Sequence, residues 1–259
     1  MEKIIEPIST AVTGYAVDKL VQVAEGAFRT HVIERWTRQR AKKFFEAFCE
    51  SLLDAGVTDA EIGTTLDELL ADKVKSEVVF DAYRAVCLSR SKDLGPRVIA
   101  ILTAELVLAR TTSDRYDDLI FSAAEELLDS ELREFSDFAI FNENEVLANL
   151  EERPRWLLDG SLEIPMGKET TDSNWIRSNS VPIGPLDLVR DIGNWAPKLK
   201  RLGLISDDMR ERQWRYEEDS EQHVDMPGIA REITWWLTLT NSSLALAKLV
   251  QRAKAGREI

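Results

Sequence analysis

Apolar positions recur at intervals of three and four through most of the first half of the chain. Ile5, Ile8, Val12, Tyr15, Ala16, Leu20, Val23 and Ala24 form one such series. Val32, Ile33, Trp36, Phe44, Phe45, Phe48, Leu52 and Leu53 form another, which stops near Gly56. That spacing puts the apolar side chains on one face of a helix. Thr58 and Glu61 in T-D-A-E have the form of a capping box, and Ile62, Leu66, Leu69 and Leu70 follow on a short helix. Val78, Val79, Tyr83, Val86 and Cys87 line one arm of a helical hairpin, and Val98, Ile99, Leu102, Leu106 and Leu108 the other. Residues 91–96 make the turn, with Pro96 in the first turn of the second arm, where its missing N–H costs nothing. Ser113 or Asp114 caps the next helix, which carries Leu119, Ile120, Ala123, Leu127 and Leu128. Leu132, Phe135, Phe138 and Ile140 continue in a further helical element.

The periodicity breaks after residue 150. Pro154, Gly160, Pro165, Gly167, Pro182, Gly184 and Pro185 punctuate the segment, so helix is excluded and short extended pieces at 162–166 and 175–183 fit better. Trp156, Leu157 and Trp175 are too apolar for a free linker, so this segment should pack on what precedes it. Helical spacing returns with Leu186, Leu188, Val189, Ile192, Trp195, Leu199 and Leu202, bent or restarted at Pro197. L-G-L-I at 202–205, a charged stretch to Gly228, an alternating run from 233 and a last helix over 244–249 complete the chain. The pattern predicts a mostly α protein in three parts. A helical bundle spans 1–151, an irregular connector 152–185, and a smaller α+β unit of helix, hairpin and helix 186–259. The order of helix, L-G-L-I, ribbon and helix resembles a winged-helix unit, with residues 206–240 as the wing.

Charge narrows the range of functions. The formal net charge is −13, which disfavours nonspecific binding of nucleic acid over the whole surface. Residues 101–150 hold three basic and twelve acidic side chains, whereas residues 1–50 come out at +1. The basic side chains there concentrate in R-W-T-R-Q-R-A-K-K-F-F, with Arg35, Arg38, Arg40, Lys42 and Lys43 among Trp36, Phe44 and Phe45. Such a stripe can hold phosphate or an anionic membrane surface. The stronger expectation is an internal or subunit pairing with the acidic residues 114–145.

Candidate chemistry is sparse. The sequence has no glycine-rich phosphate loop, no H-E-x-x-H and no G-x-S-x-G. His31 and His223 are the two histidines, and neither stands in a ligand set, so no metal and no cofactor are expected. Cys49 and Cys87 lie on apolar helix faces with no base nearby, which reads as core packing. Two cysteines without a disulfide framework point to a reducing compartment. Glu2, Glu6 and Pro7 interrupt any signal-peptide core, and the longest uncharged run, 233–247, contains Asn241, Ser242 and Ser243. A cytoplasmic protein without a transmembrane segment is the expectation, and enzymatic activity is not.

Five tryptophans, at 175, 195, 214, 235 and 236, fall in the last third. Arg212, Trp214, Arg215 and Tyr216 alternate cation and ring in a polar setting, a composition typical of protein-binding hot spots. They are the candidate partner-binding residues. Were the unit instead to bind nucleic acid, Arg190, Lys198, Lys200 and Arg201 would meet phosphates. A peripheral membrane role would use residues 1–45.

The helical pairs at 74–110 and 113–141, L-K-R-L-G-L-I at 199–205 and L-T-L-T at 237–240 resemble the Abi-alpha type of bacterial phage-resistance proteins. The resemblance covers about half of the chain and transfers no catalytic residue. It implies a bacterial or phage-encoded protein in defence or counter-defence, acting by binding. The long charged insert between L-G-L-I and L-T-L-T departs from that pattern.

Overall fold

In the computed structural model, residues 31–58, 61, 73–146, 153–172, 186–216 and 228–256 are described. The helical series at residues 5–24 and 62–70, and the extended piece at 175–183, lie outside them. So do the side chains of Arg35 and Arg38 and the residue His223.

Helix α1 is His31–Asp54 and α2 is Lys73–Leu88. They are followed by α3 at Leu94–Ala109, α4 at Arg115–Glu126 and α5 at Asp129–Glu145. Helix α1 stops where the sequence indicates. Gly56 adopts φ +93 and its N–H closes onto the Leu53 carbonyl at 2.9 Å, a left-handed step that favours glycine. Beyond it, the Glu61 carboxylate accepts from the Thr58 N–H at 3.0 Å, the reciprocal arm of the capping box.

Two compact units divide the chain, residues 1–137 with 245–259 and residues 138–244. In the first unit α3 is the central helix. Its residues 94–104, 106 and 107 are buried, so it is apolar on every side, as a helix enclosed by neighbours must be. Helices α1, α2 and α4 pack on it. From α1 come Phe44, Phe45 and Phe48, stacked edge to face and face to face at 5.0 and 5.9 Å, together with Cys49 and Leu52. The turn into α3 is fastened from a distance. Asp129, at the start of α5, accepts from the Leu94 N–H at 2.8 Å, the Lys92 N–H at 3.2 Å and the Ser91 hydroxyl. Its carboxylate thus supplies the cap that Asp93, the residue before α3, does not provide with its own side chain. Asp114 caps α4, exchanging hydrogen bonds with Asp117.

The second unit holds a four-stranded antiparallel sheet, order β1-β2-β4-β3. Its strands are β1 Arg155–Trp156, β2 Leu162–Asp172, β3 Ile205–Tyr216 and β4 Gly228–Leu239. Pro165 cannot donate to a ladder, and the register of β2 against β4 shifts between Pro165 and Gly167. A π-helical turn at Leu188–Ile192 precedes the short α6, Ala196–Arg201, with Pro197 in its first turn. Pro197 therefore restarts the helix instead of bending it. Trp195 is buried at the start of α6 against Phe138, ring centroids 5.4 Å apart. Leu162, Ile164, Ile205, Trp235, Leu237, Leu239 and Leu199 are buried in the same unit. Thr240 ends β4 and caps the last helix, α7 at Asn241–Ala255, through the Ser243 N–H.

The architecture is mostly α with a small α+β unit, as the pattern indicates. The division differs from the three parts expected. Within the expected connector, the described residues 162–172 form β2, which lies inside the sheet between β1 and β4 with its alternating Leu162 and Ile164 on the apolar face; residues 173–185 lie outside the described residues. Residues 245–259 group with the first unit, because α7 hydrogen-bonds α5. Ser136 donates to the Ala247 carbonyl at 2.8 Å, and Lys254 and Gln251 reach Asp137 at 2.7 and 3.1 Å.

Candidate interaction surface on the β3–β4 ribbon

Among the described residues, strand β3 is an edge of the sheet, paired on one side only, with β4. Its inner end is anchored by Ile205, buried opposite Leu239. From Asp208 to Gln213 every side chain is exposed, on both faces of the strand. The sequence explains the change, since L-G-L-I is apolar and D-D-M-R-E-R-Q carries one apolar residue, Met209. Met209 is 54 % exposed beside the buried Trp235. Glu211 accepts from Gln213 on its own strand and from Arg231 of β4 at 2.8 Å. The Gln213 bond, with Arg231 second, holds the Glu211 carboxyl below the usual carboxylate range.

The four partner-binding candidates lie together at the outer end of this ribbon. Arg212 pairs in register with Glu232, Trp214 with Ala230, Arg215 with Ile229 and Tyr216 with Gly228. The side chains of Trp214, Arg215 and Tyr216 lie outside the described residues.

Of the basic stripe, the side chains of Arg40, Lys42 and Lys43 are described, with partners on α1 and α2. Arg40 donates from Nη1 to the Cys87 carbonyl at 3.3 Å, and Lys42 and Lys43 pair with Glu46 on their own helix at 3.7 and 3.1 Å. The reason is packing: α1 lies against α2 and α3. Acidic side chains of the helical unit find cations on α7 instead, Asp137 with Lys254 and Glu105 with Arg252. The Lys254 bond holds the Asp137 carboxyl below its ordinary value, with smaller help from Gln251.

The alternative phosphate-contacting set is partly engaged. Arg190 pairs with Asp191 at 2.7 Å and Lys200 with Asp207, while Lys198 and Arg201 share α6 with Lys200. Cys49 is buried. Burial pushes the Cys87 thiol up, with partial offset from Tyr83 and Arg40, and Tyr83 itself is pushed up to about 12 by its own burial and by Cys87. A raised thiol is the reverse of what a nucleophilic cysteine needs. Among the described residues, no group of three or more His, Cys, Asp or Glu could hold a metal ion, and no helix is long and apolar enough to cross a membrane.

One constellation has no counterpart in the sequence reading. Arg155 of β1 and Arg210 of β3 both pair with Glu163 of β2, and both guanidiniums lie over the indole of Trp236 on β4. Alternation along β4 puts Trp235 and Trp236 on opposite faces, so Trp236 faces away from Leu237 and Leu239. The signal was available only in part, as a charged residue between Leu162 and Ile164 in a strand of otherwise apolar character.

No protein-family model, no curated protein and no solved structure matches this chain.

Proposed function

We propose that this chain is a non-enzymatic interaction protein that binds a protein partner through the outer end of the β3–β4 ribbon. The observation that carries the reading is the exposure of residues 208–213 of β3, leading to that outer end, on both faces of a strand that pairs only with β4 among the described residues. Such an edge offers backbone N–H and C=O groups to an incoming strand, and alternating side chains to select it. Arg212, Trp214, Arg215 and Tyr216 supply the residue types that dominate binding energy at protein interfaces. The acidic helical residues 114–145 are a second surface for the same role. The resemblance to Abi-alpha proteins supports a partner in phage defence or its counteraction, and the two cysteines without a disulfide framework support a cytoplasmic setting.

The test is co-precipitation of partners by the wild type and by a variant with Arg212, Trp214, Arg215 and Tyr216 all changed to Ala. The variant should keep its melting temperature and lose the partner. Retention of the same partner by the folded variant refutes the ribbon as the binding surface.

The strand order gives a second reading. With β2 on the far side of β4 and α6 ahead of the hairpin, the unit has the order of a winged helix, in which Arg190, Lys198, Lys200 and Arg201 would meet phosphates. Binding to DNA that weakens steeply as salt rises would support it. Binding undetectable at about 50 mM salt, where phosphate contacts are strongest, would sink it.

A further inference from the structure

Arg155 and Arg210 approach one buried carboxylate from the two edge strands of the sheet. The Glu163 side chain is 0 % exposed, whereas those of Arg155 and Arg210 are 54 % and 44 % exposed. Arg155 presents Nε and Nη2 to Glu163 Oε2 at 2.8 and 2.7 Å. Arg210 gives Nη2 to Glu163 Oε1 and Nε to Asp208 Oδ2, the latter at 3.1 Å. The guanidinium carbons lie 4.9 and 5.3 Å from the Trp236 ring centroid. Neither Nη1 group donates to these carboxylates.

Glu163 and Asp208 balance the two guanidiniums formally, but only Glu163 is buried. Asp208 is 60 % exposed and pairs with Arg210, so a more highly charged anion can compete with it for that fork. The stack on the indole and the bonds to Glu163 fix both planar forks in advance, so a ligand need not immobilise them. Paired guanidiniums with unused donors suit an anion that has several oxygens and more than one charge. A phosphate monoester meets both conditions, with charge of about −1.5 to −2 and three acceptor oxygens. We propose that Arg155 and Arg210, held by Glu163 over Trp236, form a binding site for a phosphate monoester group. The group is carried either by a small molecule or by a phosphorylated side chain. This site does not depend on the outer end of the ribbon binding a protein.

The experiment is isothermal titration calorimetry of the full chain at constant ionic strength. The probes are inorganic phosphate, a phosphoserine peptide and the same peptide without phosphate, with acetate as the singly charged control. One saturable site for phosphate is expected, with neither acetate nor the unmodified peptide filling it. Tighter binding of the phosphopeptide than of inorganic phosphate identifies a protein-borne group, and the reverse order a small molecule. Arg155→Gln should weaken binding roughly tenfold or more, since charge-assisted bonds are the strong ones. Asp208→Asn removes a competing anion and should tighten binding severalfold, an effect that a purely structural ion-pair network would not show. Arg210→Gln should act like Arg155→Gln. Should it fail to fold, Arg155→Gln on the exposed edge strand and Asp208→Asn still decide. No saturable phosphate site, equal filling by acetate, or affinity unchanged by both Arg155→Gln and Asp208→Asn overturns the proposal.

Discussion

Gly95 leaves no room for a side chain. A Cβ at this position would lie 2.5 Å from the Ala124 carbonyl oxygen, 2.7 Å from Ser91 Cβ and 2.8 Å from Ser89 Oγ. A backbone oxygen cannot swing aside, so Gly95→Ala must displace α4 or the turn. A loss of about 1–3 kcal/mol is expected, read from urea unfolding. The sequence shows Gly95–Pro96 as punctuation, but the clash comes from a residue on another helix, which no local pattern reveals. Glu163 is the second position where a single side chain decides much. Burial pushes its carboxyl up, but hydrogen bonds from Arg210 and then Arg155 outweigh this and hold it below the usual carboxylate range. A depressed folded value contributes stability that is full above the unfolded value and is lost as pH falls through the folded one. Glu163→Gln should therefore cost about 1–3 kcal/mol near neutral pH, the range for losing charge-assisted bonds. The gap to the wild type should close as pH drops below 4.5. A gap that is independent of pH would mean that packing, not charge, sets the cost.

Among elements, the helix hairpin α2–α3 shows how a short loop is held by a residue far along the chain. Asp129→Ala removes the acceptor for the Leu94 and Lys92 amides and the Ser91 hydroxyl at once. About 1–2 kcal/mol should be lost, since the part-buried Leu94 amide and Ser91 hydroxyl lose their acceptor, and Asp129→Asn should recover part of it. Thermal unfolding of the two variants separates these outcomes. Helix α1 behaves in the opposite way. Lys42 and Lys43 spend their charge on Glu46 of the same helix, and Lys42 is 62 % exposed. Reversing both to Glu should lower stability by less than about 1 kcal/mol, the ordinary yield of surface pairs. A drop of several kcal/mol would restore the pairing with residues 114–145 that charge segregation alone suggests. Elements of this kind were legible because helical spacing, Gly56, Pro96 and the Asp114 cap are local signals. The Glu46 pairing of Lys42 and Lys43 was not legible in charge totals per segment, which carry no information about which helix faces which. Helix α7 was legible as a helix, but not as the source of cations for Asp137 and Glu105.

At the scale of the molecule, the chain leaves its helical unit within α5 and returns to it within α7, with the sheet between. The sequence marks 152–185 as irregular, yet Pro165 and Gly167 interrupt an inner strand instead of ending a domain. Proline and glycine at 165 and 167 record a register shift within β2, which a reading of breakers alone does not separate from a loop. The ribbon was found from its composition alone, because alternating Arg, Trp and Tyr in polar surroundings is a local feature. The Arg155, Glu163, Arg210 and Trp236 cluster draws one residue from each of four strands, and only the strand order assembles it. The central claim is that the outer ribbon is the protein-binding surface. The most direct test is quantitative mass spectrometry of proteins captured from infected bacterial cells by the wild type and by the Arg212, Trp214, Arg215 and Tyr216 alanine variant, both of verified fold. The account predicts a partner enriched on the wild type and lost from the variant. Equal capture of every partner by the two proteins would contradict it.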